Sequence, residues 1–553
     1  MSTVNPKKTR VGLFTDARYK PLWLCRAVER IARSPTAEIV LLVELVDDEP
    51  KDASNRLQRV FACLTRMLFS LWSALDQKMF GHAPDPMQTH DVTLPLGTVP
   101  SIRINWRGRV STLGFGSGEL KVIQEHALDV AFWCATSRPL GTLSALAKHG
   151  VWCIFFGTTR SRDDSLAGFW EVVNGRPQSL SGVMALGESA KSDRVIYTSS
   201  ARTYPYSFCR NRENLLRKSA EFGVRALRDL NLSTSTDGAS TVATALPAVP
   251  AKTVTCPGNI LMTLILARLF CRLGARALQK LLFVDQWVLV CTFAPPNPAA
   301  EPSAVTLLPP KDRFWADPFP VEREGRYYIF FEELMLATGK GHLAVLEVGR
   351  DGAHSEPVRI IEKDYHLSYP FVFEWEGVFY MIPETVEKRI VELYRCLSFP
   401  EQWVFDRILI ENIRAVDATL HCFSGRWWMF VNVSPDGVEI YDELHLYHAD
   451  NPFGPWVPHN RNPVVSDVLC ARPAGRLFER DGVVYRPSQV CAPIYGAGIQ
   501  ANRILAITTD DYAEEEAPDV LRFCGGKTSG VHTYNTAGAL HVVDRFTRRP
   551  RIG

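Results

Sequence analysis

Between Arg313 and Gln489 one short pattern returns four times, and nothing else in the chain limits its fold as tightly. The first copy reads Asp317-Pro318-Phe319, then Glu324-Gly325-Arg326-Tyr327-Tyr328, then Phe331-Glu332-Glu333. The second is Tyr369-Pro370-Phe371, Glu376-Gly377-Val378-Phe379-Tyr380 and Pro383-Glu384. The third is Asp417-Ala418-Thr419, Ser424-Gly425-Arg426-Trp427-Trp428 and Val431-Asn432. The fourth is Ala474-Gly475-Arg476, Asp481-Gly482-Val483-Val484-Tyr485 and Ser488-Gln489. From Pro318, Pro370, Ala418 and Gly475 to Gly325, Gly377, Gly425 and Gly482 is seven positions each time, and seven more lead to Glu332, Glu384, Asn432 and Gln489. Each unit is therefore an apolar strand, a tight turn whose Gly supplies a positive φ, an aromatic strand and a polar residue at its end. The copies lie roughly 50 to 60 residues apart, which is within reach of four-stranded propeller blades.

A chain of 553 residues exceeds one core and suggests two or three domains. With 46% apolar and 22% charged residues it has the make-up of a globular protein, and a net charge of +2 provides no global field for nucleic acid or an anionic membrane. The thirteen cysteines are scattered without a CxxC pair or metal-like spacing, which favours free thiols, a reducing cytoplasm and no metal site. Residues 1–10 are polar and basic with no apolar run behind them, so no secretory signal is expected.

Val11 to Thr15, a helix over Pro21 to Ala32 and Glu38 to Val43 form the strand-helix-strand opening of a parallel α/β sheet. Asn55 to Phe80 has helical spacing, and strands return at Val130 to Trp133 and Val151 to Phe156. Asn231 to Pro257, rich in Ser, Thr, Ala and Pro, is the expected linker. Asn259 to Phe270 is too short an apolar run to span a bilayer, and Arg268, Arg272 and Arg276 accompany it. An amphipathic helix follows, either packed between domains or in peripheral membrane contact through residues 259–276. Gln286 to Val290 reads as the first propeller strand. The segment after Gly526, through Gly530-Val531-His532-Thr533-Tyr534-Asn535, is expected to complete a fifth blade with it.

Gly150 to Gly157, Ala167 to Pro177 and Gly182 to Ile196 resemble, in order, the formyltransferase N-terminal domain. That family uses Asn-x-His and a later Asp on a folate donor. Here the matching positions hold Cys153, Phe155 and a residue near Lys191, so the resemblance implies the fold without formyl transfer and without folate. Asp163 and Asp164 read as a solvated loop. The expected organisation is a formyltransferase-like α/β domain at 10–230, a linker at 231–258, a connecting helix at 259–284 and an all-β five-bladed propeller at 285–546.

In a propeller, equivalent residues of each blade meet at the axis. The register predicts one ring of Asp317, Tyr369, Asp417 and the Arg472 to Gly475 segment, and another of Glu332, Glu384, Asn432 and Gln489. Carboxylates converging from different blades suit glycosyl chemistry, in which one handles a proton and another faces an oxocarbenium-like centre. Arg472 suits an anion or substrate clamp. His532 and Asn535 are further candidates, as are His366, His421, Glu443 and His445. Each also has an ordinary structural explanation: Asp before Pro as a turn residue, a strand-end polar group as a cap, a histidine satisfied in the core.

The motifs Ala316-Asp317-Pro318-Phe319 and Val416-Asp417-Ala418 resemble five-bladed furanosidase-type glycoside hydrolases, whose acid carboxylate comes one blade later; the fourth repeat here offers Arg472 and Gly475 instead. More specifically, residues 314–319, 366–371, 416–420, 442–456, 461–468, 471–478 and 530–535 are similar to the propeller named for plant glucosamine inositolphosphorylceramide transferases. In the plant proteins a glycosyltransferase domain follows the propeller, whereas the sequence here ends at Gly553, so that activity does not carry over directly. The resemblance implies a glycosyltransferase moving an activated sugar onto a cell-surface glycan or glycolipid precursor. In it Asp317 or Asp417 is the base, the other orients the sugar, and Arg472 holds the donor phosphate. A hydrolase using Asp317, Asp417 and Glu384, and a non-catalytic glycan-binding scaffold, are the alternatives. No nucleic-acid partner or cofactor is expected.

Overall fold

The computed structural model describes residues 8–46, 64–105, 115, 117–136, 138–139, 145–157, 161–189, 192–235, 255–293, 303–518, 520–521 and 530–551. The chain divides into two compact units, Met1–Cys271 and Arg272–Gly553, and the division falls within the Asn259–Leu282 helix.

The first unit is built on a seven-stranded sheet. The strand Thr9–Thr15 lies between Ala37–Val46 and Val130–Trp133, with Ser101–Asn105 and Val151–Phe156 outside them, all parallel. Gln178–Leu186 and Arg194–Arg202 then extend the sheet antiparallel. Short apolar runs such as VAFW and VWCIFF form strands here because both faces are covered. Val130, Phe132, Trp152, Ile154 and Phe156 enter one core, while Ala131, Trp133, Val151, Cys153 and Phe155 enter the other. The helix expected over Asn55 to Phe80 is present from Met67 to Phe80, and residues 55–63 lie outside the described residues. The Phe222–Ser235 helix runs through Asn231, the expected start of the linker, and residues 236–254 lie outside the described set, as does Lys191. The reading of Asp164 is corrected. It is not a solvated side chain, because its carboxylate accepts from the Trp23 indole at 3.0 Å, while Asp163 caps the short turn that follows.

The second unit is a five-bladed β-propeller of four-stranded sheets. Four blades begin with the inner strands Arg313–Arg323, Ser368–Trp375, Ala415–Phe423 and Phe478–Arg480. In the fifth, Tyr534–Ala537 and Leu540–Pro550 form the inner half and Phe283–Phe293 with Ser303–Leu307 the outer half, so the two ends of the unit share one sheet. The turns match the repeat: Glu324-Gly325, Glu376-Gly377, Ser424-Gly425 and Asp481-Gly482 all have positive φ, the geometry of two-residue hairpins.

A second regularity concerns the inner strands. Pairing slips between Ala316 and Phe319, between Ser368 and Phe371, and between Val416 and Thr419. At each slip two residues oppose one, and the first of them, Asp317, Tyr369 or Asp417, sits at φ 51°, 46° or 58°. Such bulges re-aim side chains, and Pro318 and Pro370 fit where the ladder needs no N–H. A left-handed backbone is uncommon for a tyrosine and costs about 1–3 kcal/mol, so the surrounding structure must hold it.

Candidate active site

The three bulged residues meet groups from the other two blades on the propeller axis. Asp417 is 1% exposed and holds Arg472 in a two-pronged pair, with Nε to Oδ2 at 2.6 Å and Nη2 to Oδ1 at 3.2 Å. Gln489 Nε2 donates to the same carboxylate at 2.9 Å and to the Pro473 carbonyl at 2.8 Å. Glu384 lies 3.7 Å from the Arg472 guanidinium. The rings of Tyr495 and Tyr441 lie 4.8 Å and 5.6 Å from that guanidinium.

Across the axis, Asp317 Oδ1 accepts from Thr533 Oγ1 at 2.6 Å and lies 3.1 Å from His532 Nε2. The other nitrogen, Nδ1, is 3.0 Å from Asp544, which also accepts the N–H groups of Asp317, His532 and Thr533. Asp317 Oδ2 receives only the Tyr369 N–H, at 3.3 Å. Tyr369 joins the halves: its hydroxyl bonds Thr419 Oγ1 and accepts the Gly475 N–H, each at 2.8 Å. Five blades thus contribute to one hydrogen-bonded cluster.

Burial and charge set the protons. Burial, then the charges of Asp417 and Asp317, push the Glu384 carboxyl up to about 8, against the pull of Arg472. Burial, then Asp317 and Glu384, push Glu332 well above the carboxylate range. Burial alone lowers a histidine, but Asp544 and Asp317 outweigh it and hold His532 up at about 10. Burial likewise opposes ionisation of Asp317, and the His532 charge with its hydrogen bond overcomes it, leaving Asp317 below its ordinary value. Burial disfavours the Arg472 charge, yet Asp417 raises it well above the ordinary arginine value. Burial, opposed by the Arg472 charge and hydrogen bond, raises the Asp417 carboxyl above its ordinary value, so at neutral pH the cluster combines the Arg472 and His532 cations with an Asp317 carboxylate and a neutral Glu384.

Asp317, His532 and Asp544 are the one group among the described residues spaced closely enough to hold a metal ion. The two ring nitrogens of His532 lie at ion-pair distance from the two carboxylates, and a histidine held in its charged form has no lone pair to offer a metal.

The predicted residues divide by their contacts. Asp317, Asp417, Glu384, Arg472, Gln489, Tyr369 and His532 share the cluster. Glu332 borders it through His366, whose Nε2 lies 3.4 Å from its carboxyl. Asn535 instead braces backbone: its amide donates to the Pro318 carbonyl at 2.8 Å and accepts the Arg476 N–H at 2.7 Å. Glu443 is buried and accepts from Ser466 at 3.4 Å. His421 is held below its ordinary pKa by burial and pairs with Trp428 farther along its strand. Sequence reasoning placed Asn432 in the second ring without assigning it a contact; it is fully buried with both amide atoms unpartnered. Asp544, Thr533 and Tyr495 were missed. Asp544 and Thr533 lie past the fourth repeat and Tyr495 lies in a loop, so no register marks them.

In the first unit, Cys153 and Phe155 are buried in the strand Val151–Phe156, and burial pushes the Cys153 thiol up to about 12. A cavity of about 120 Å³ at the carboxyl ends of the parallel strands is lined by Lys20, Trp23, Thr136, Arg162 and Asp164 among others.

Residues 292–544 match the family model described as Glucosamine inositolphosphorylceramide transferase 1, N-terminal. Over 229 residues, 41% of the chain, the sequence is 35% identical to glucosamine inositolphosphorylceramide transferase 1 of Oryza sativa subsp. japonica. Over 226 residues, 40% of the chain, it is 31% identical to the protein of the same name in Arabidopsis thaliana. The match spans 29% of the length of each relative. Among solved structures, Zg3597, a family 117 glycoside hydrolase of Zobellia galactanivorans, aligns with 43% of this chain and 85% of its own at 15% identity and a TM-score of 0.31, too distant to bear on activity.

Proposed function

We propose that the propeller is the catalytic unit of a glycosyltransferase that moves a sugar from an activated, phosphate-bearing donor onto a glycan or glycolipid acceptor. The observation that carries this reading is the axial cluster, in which the Asp317 carboxylate, the Asp417–Arg472 pair and neutral Glu384 lie within one bonded network. The names of the relatives matched by residues 292–544 support a sugar as the group moved and a glycolipid as the acceptor.

In this reading Asp317 is the base. Thr533 and His532 hold its Oδ1, and Oδ2 keeps a lone pair for the acceptor hydroxyl. Asp417, fixed by Arg472 and Gln489, orients the sugar and faces developing positive charge at its anomeric carbon. Arg472 meets the departing phosphate, with Glu384 beside it as the group that surrenders or keeps a proton. Asn432, buried with an unpartnered amide, is placed to receive a sugar hydroxyl. The α/β unit is read as formyltransferase-like in fold alone, since a buried thiol and a phenyl ring, Cys153 and Phe155, stand where that family's catalytic Asn and His would be. The eleven described cysteines are free thiols, which suits a cytoplasmic protein, and a lipid-linked acceptor brings that protein to a bilayer surface.

One observation favours hydrolysis as a second reading. Glu384, neutral up to about pH 8, can supply the acid that the fourth repeat lacks. A panel of nucleotide sugars in a thermal-shift assay, with wild type beside Glu384→Gln, separates the two. Transfer requires that one donor raise the melting temperature. No shift with any donor, together with release of sugar from aryl furanosides that Glu384→Gln abolishes, replaces transfer with hydrolysis.

A further inference from the structure

Within the first unit, the Met67–Phe80 helix and the opening turns of the Asn259–Leu282 helix are tied at their starts. Asn259 Nδ2 donates to the Leu64 carbonyl at 2.7 Å, and its Oδ1 accepts the Leu68 N–H at 3.1 Å. Each helix has an inward apolar face. Leu68, Phe69 and Trp72 from one helix, and Met262, Ile265 and Leu266 from the other, join a core with Leu166, Phe169 and Phe208.

Each also has an outward apolar face that no described residue covers. Met67, Leu71, Leu75 and Met79 recur every fourth residue, so they form one line along their helix, and all are between 48% and 65% exposed. On the second helix Ile260 is 85% exposed and Leu264, one turn on, 56%. Soluble proteins seldom leave so many large aliphatic side chains in water without a use for them.

The charges beside these lines share one sign. Arg66, Lys78 and Arg268 are exposed, and the single acid in either segment, Asp76, is buried beneath the Cys209 N–H at 2.6 Å. None of the described helices is long and apolar enough to cross a bilayer. Helices that combine an exposed aliphatic line with basic neighbours lie in the plane of an interface, with aliphatic groups at the acyl boundary and cations on lipid phosphates.

The geometry points to this two-helix face as the surface by which the protein docks on an anionic lipid bilayer. Met67, Leu71, Leu75, Met79, Ile260 and Leu264 enter the headgroup region, and the arginines and lysine meet lipid phosphates. The inference extends beyond the axial chemistry and needs no donor, so it stands or falls apart from the transferase reading.

Vesicle co-sedimentation of the full chain tests it, using phosphatidylcholine alone and phosphatidylcholine mixed with phosphatidylserine, at low and high salt. Wild type should pellet several-fold more with the mixed vesicles, less so in high salt, and Leu71→Glu/Leu75→Glu should fall to background. Both positions are exposed, so the melting temperature should hold; if it drops, Ile260→Glu on the other helix provides the same comparison. Wild type remaining in the supernatant with both vesicles overturns the inference. So does a folded variant that pellets like wild type. Concentration-dependent dimers in analytical ultracentrifugation that the variant breaks, without vesicle binding, assign the face to a second copy and also overturn it.

Discussion

Two strands reaching comparable places in their own sheets show how differently the units are used. In the α/β unit, Val151–Phe156 runs to the carboxyl end of a parallel sheet, where open α/β folds commonly hold ligands, and along it carries a raised-pKa thiol and a phenyl ring packed in an apolar core. In the propeller, the inner strands reach the axis through a bulge and deliver Asp317, Tyr369 and Asp417 at a left-handed backbone angle. Side chains on the first strand alternate between two apolar cores, as a strand without a bulge dictates. The bulges break that alternation and send polar groups where alternation alone would not. Irregularity in the backbone, repeated in three blades, is what separates a polar axis from a packed sheet.

The sharpest way to break this comparison is to remove a charge from the axis. Arg472→Met leaves Asp417 buried beside Glu384 without its cation, and we expect a loss of about 3–5 kcal/mol in urea unfolding. A loss no larger than that of a core trimming in the α/β unit would make the axis merely structural. Next, Glu384→Gln should leave the fold nearly intact and lower turnover by about 10²–10⁴-fold, removing the alkaline limb near pH 8 if its proton is used.

A smaller effect sharpens the reading of His532. Its folded pKa of about 10 lies above the ordinary 6.5, so the native state keeps a proton that the unfolded chain has released. Its contribution to stability is complete below about pH 6.5 and declines toward pH 10, by at most about 1.4 kcal/mol per pH unit. Urea midpoints of His532→Gln should be flatter than wild type over that range; equal slopes would place the proton elsewhere. The smallest change is expected at Cys153→Ala, about 1 kcal/mol in stability with donor binding untouched. An altered donor affinity there, read by calorimetry, would give the α/β unit a share in catalysis.

How much was legible in the sequence follows the repeat. Seven-residue spacing located the turn glycines, the bulged Asp317, Tyr369 and Asp417, and Glu332, Glu384 and Asn432 opposite the residues preceding them. It also led to a fifth blade shared by the two ends of the unit. Where the register stops, so did foresight. Asp544 holds His532 from a strand with no sister copy, and Tyr495 reaches Arg472 from a loop. Asn535 carried the right residue type in the right segment, yet both ends of its amide are taken by backbone. The Phe222–Ser235 helix overran a boundary drawn from composition, since Ser and Thr at a helix end look like the start of a linker.

The fifth blade has a consequence for how the propeller comes into being. His532, Thr533 and Asp544 are synthesised after the four other blades, whereas their sheet partner Phe283–Phe293 precedes those blades. Throughout synthesis of the intervening blades, Asp317 has no imidazolium beside it and the early strand has an open edge. The ring therefore stays open until residues 532–544 dock, and a stop before them removes both its latch and the imidazole beside Asp317.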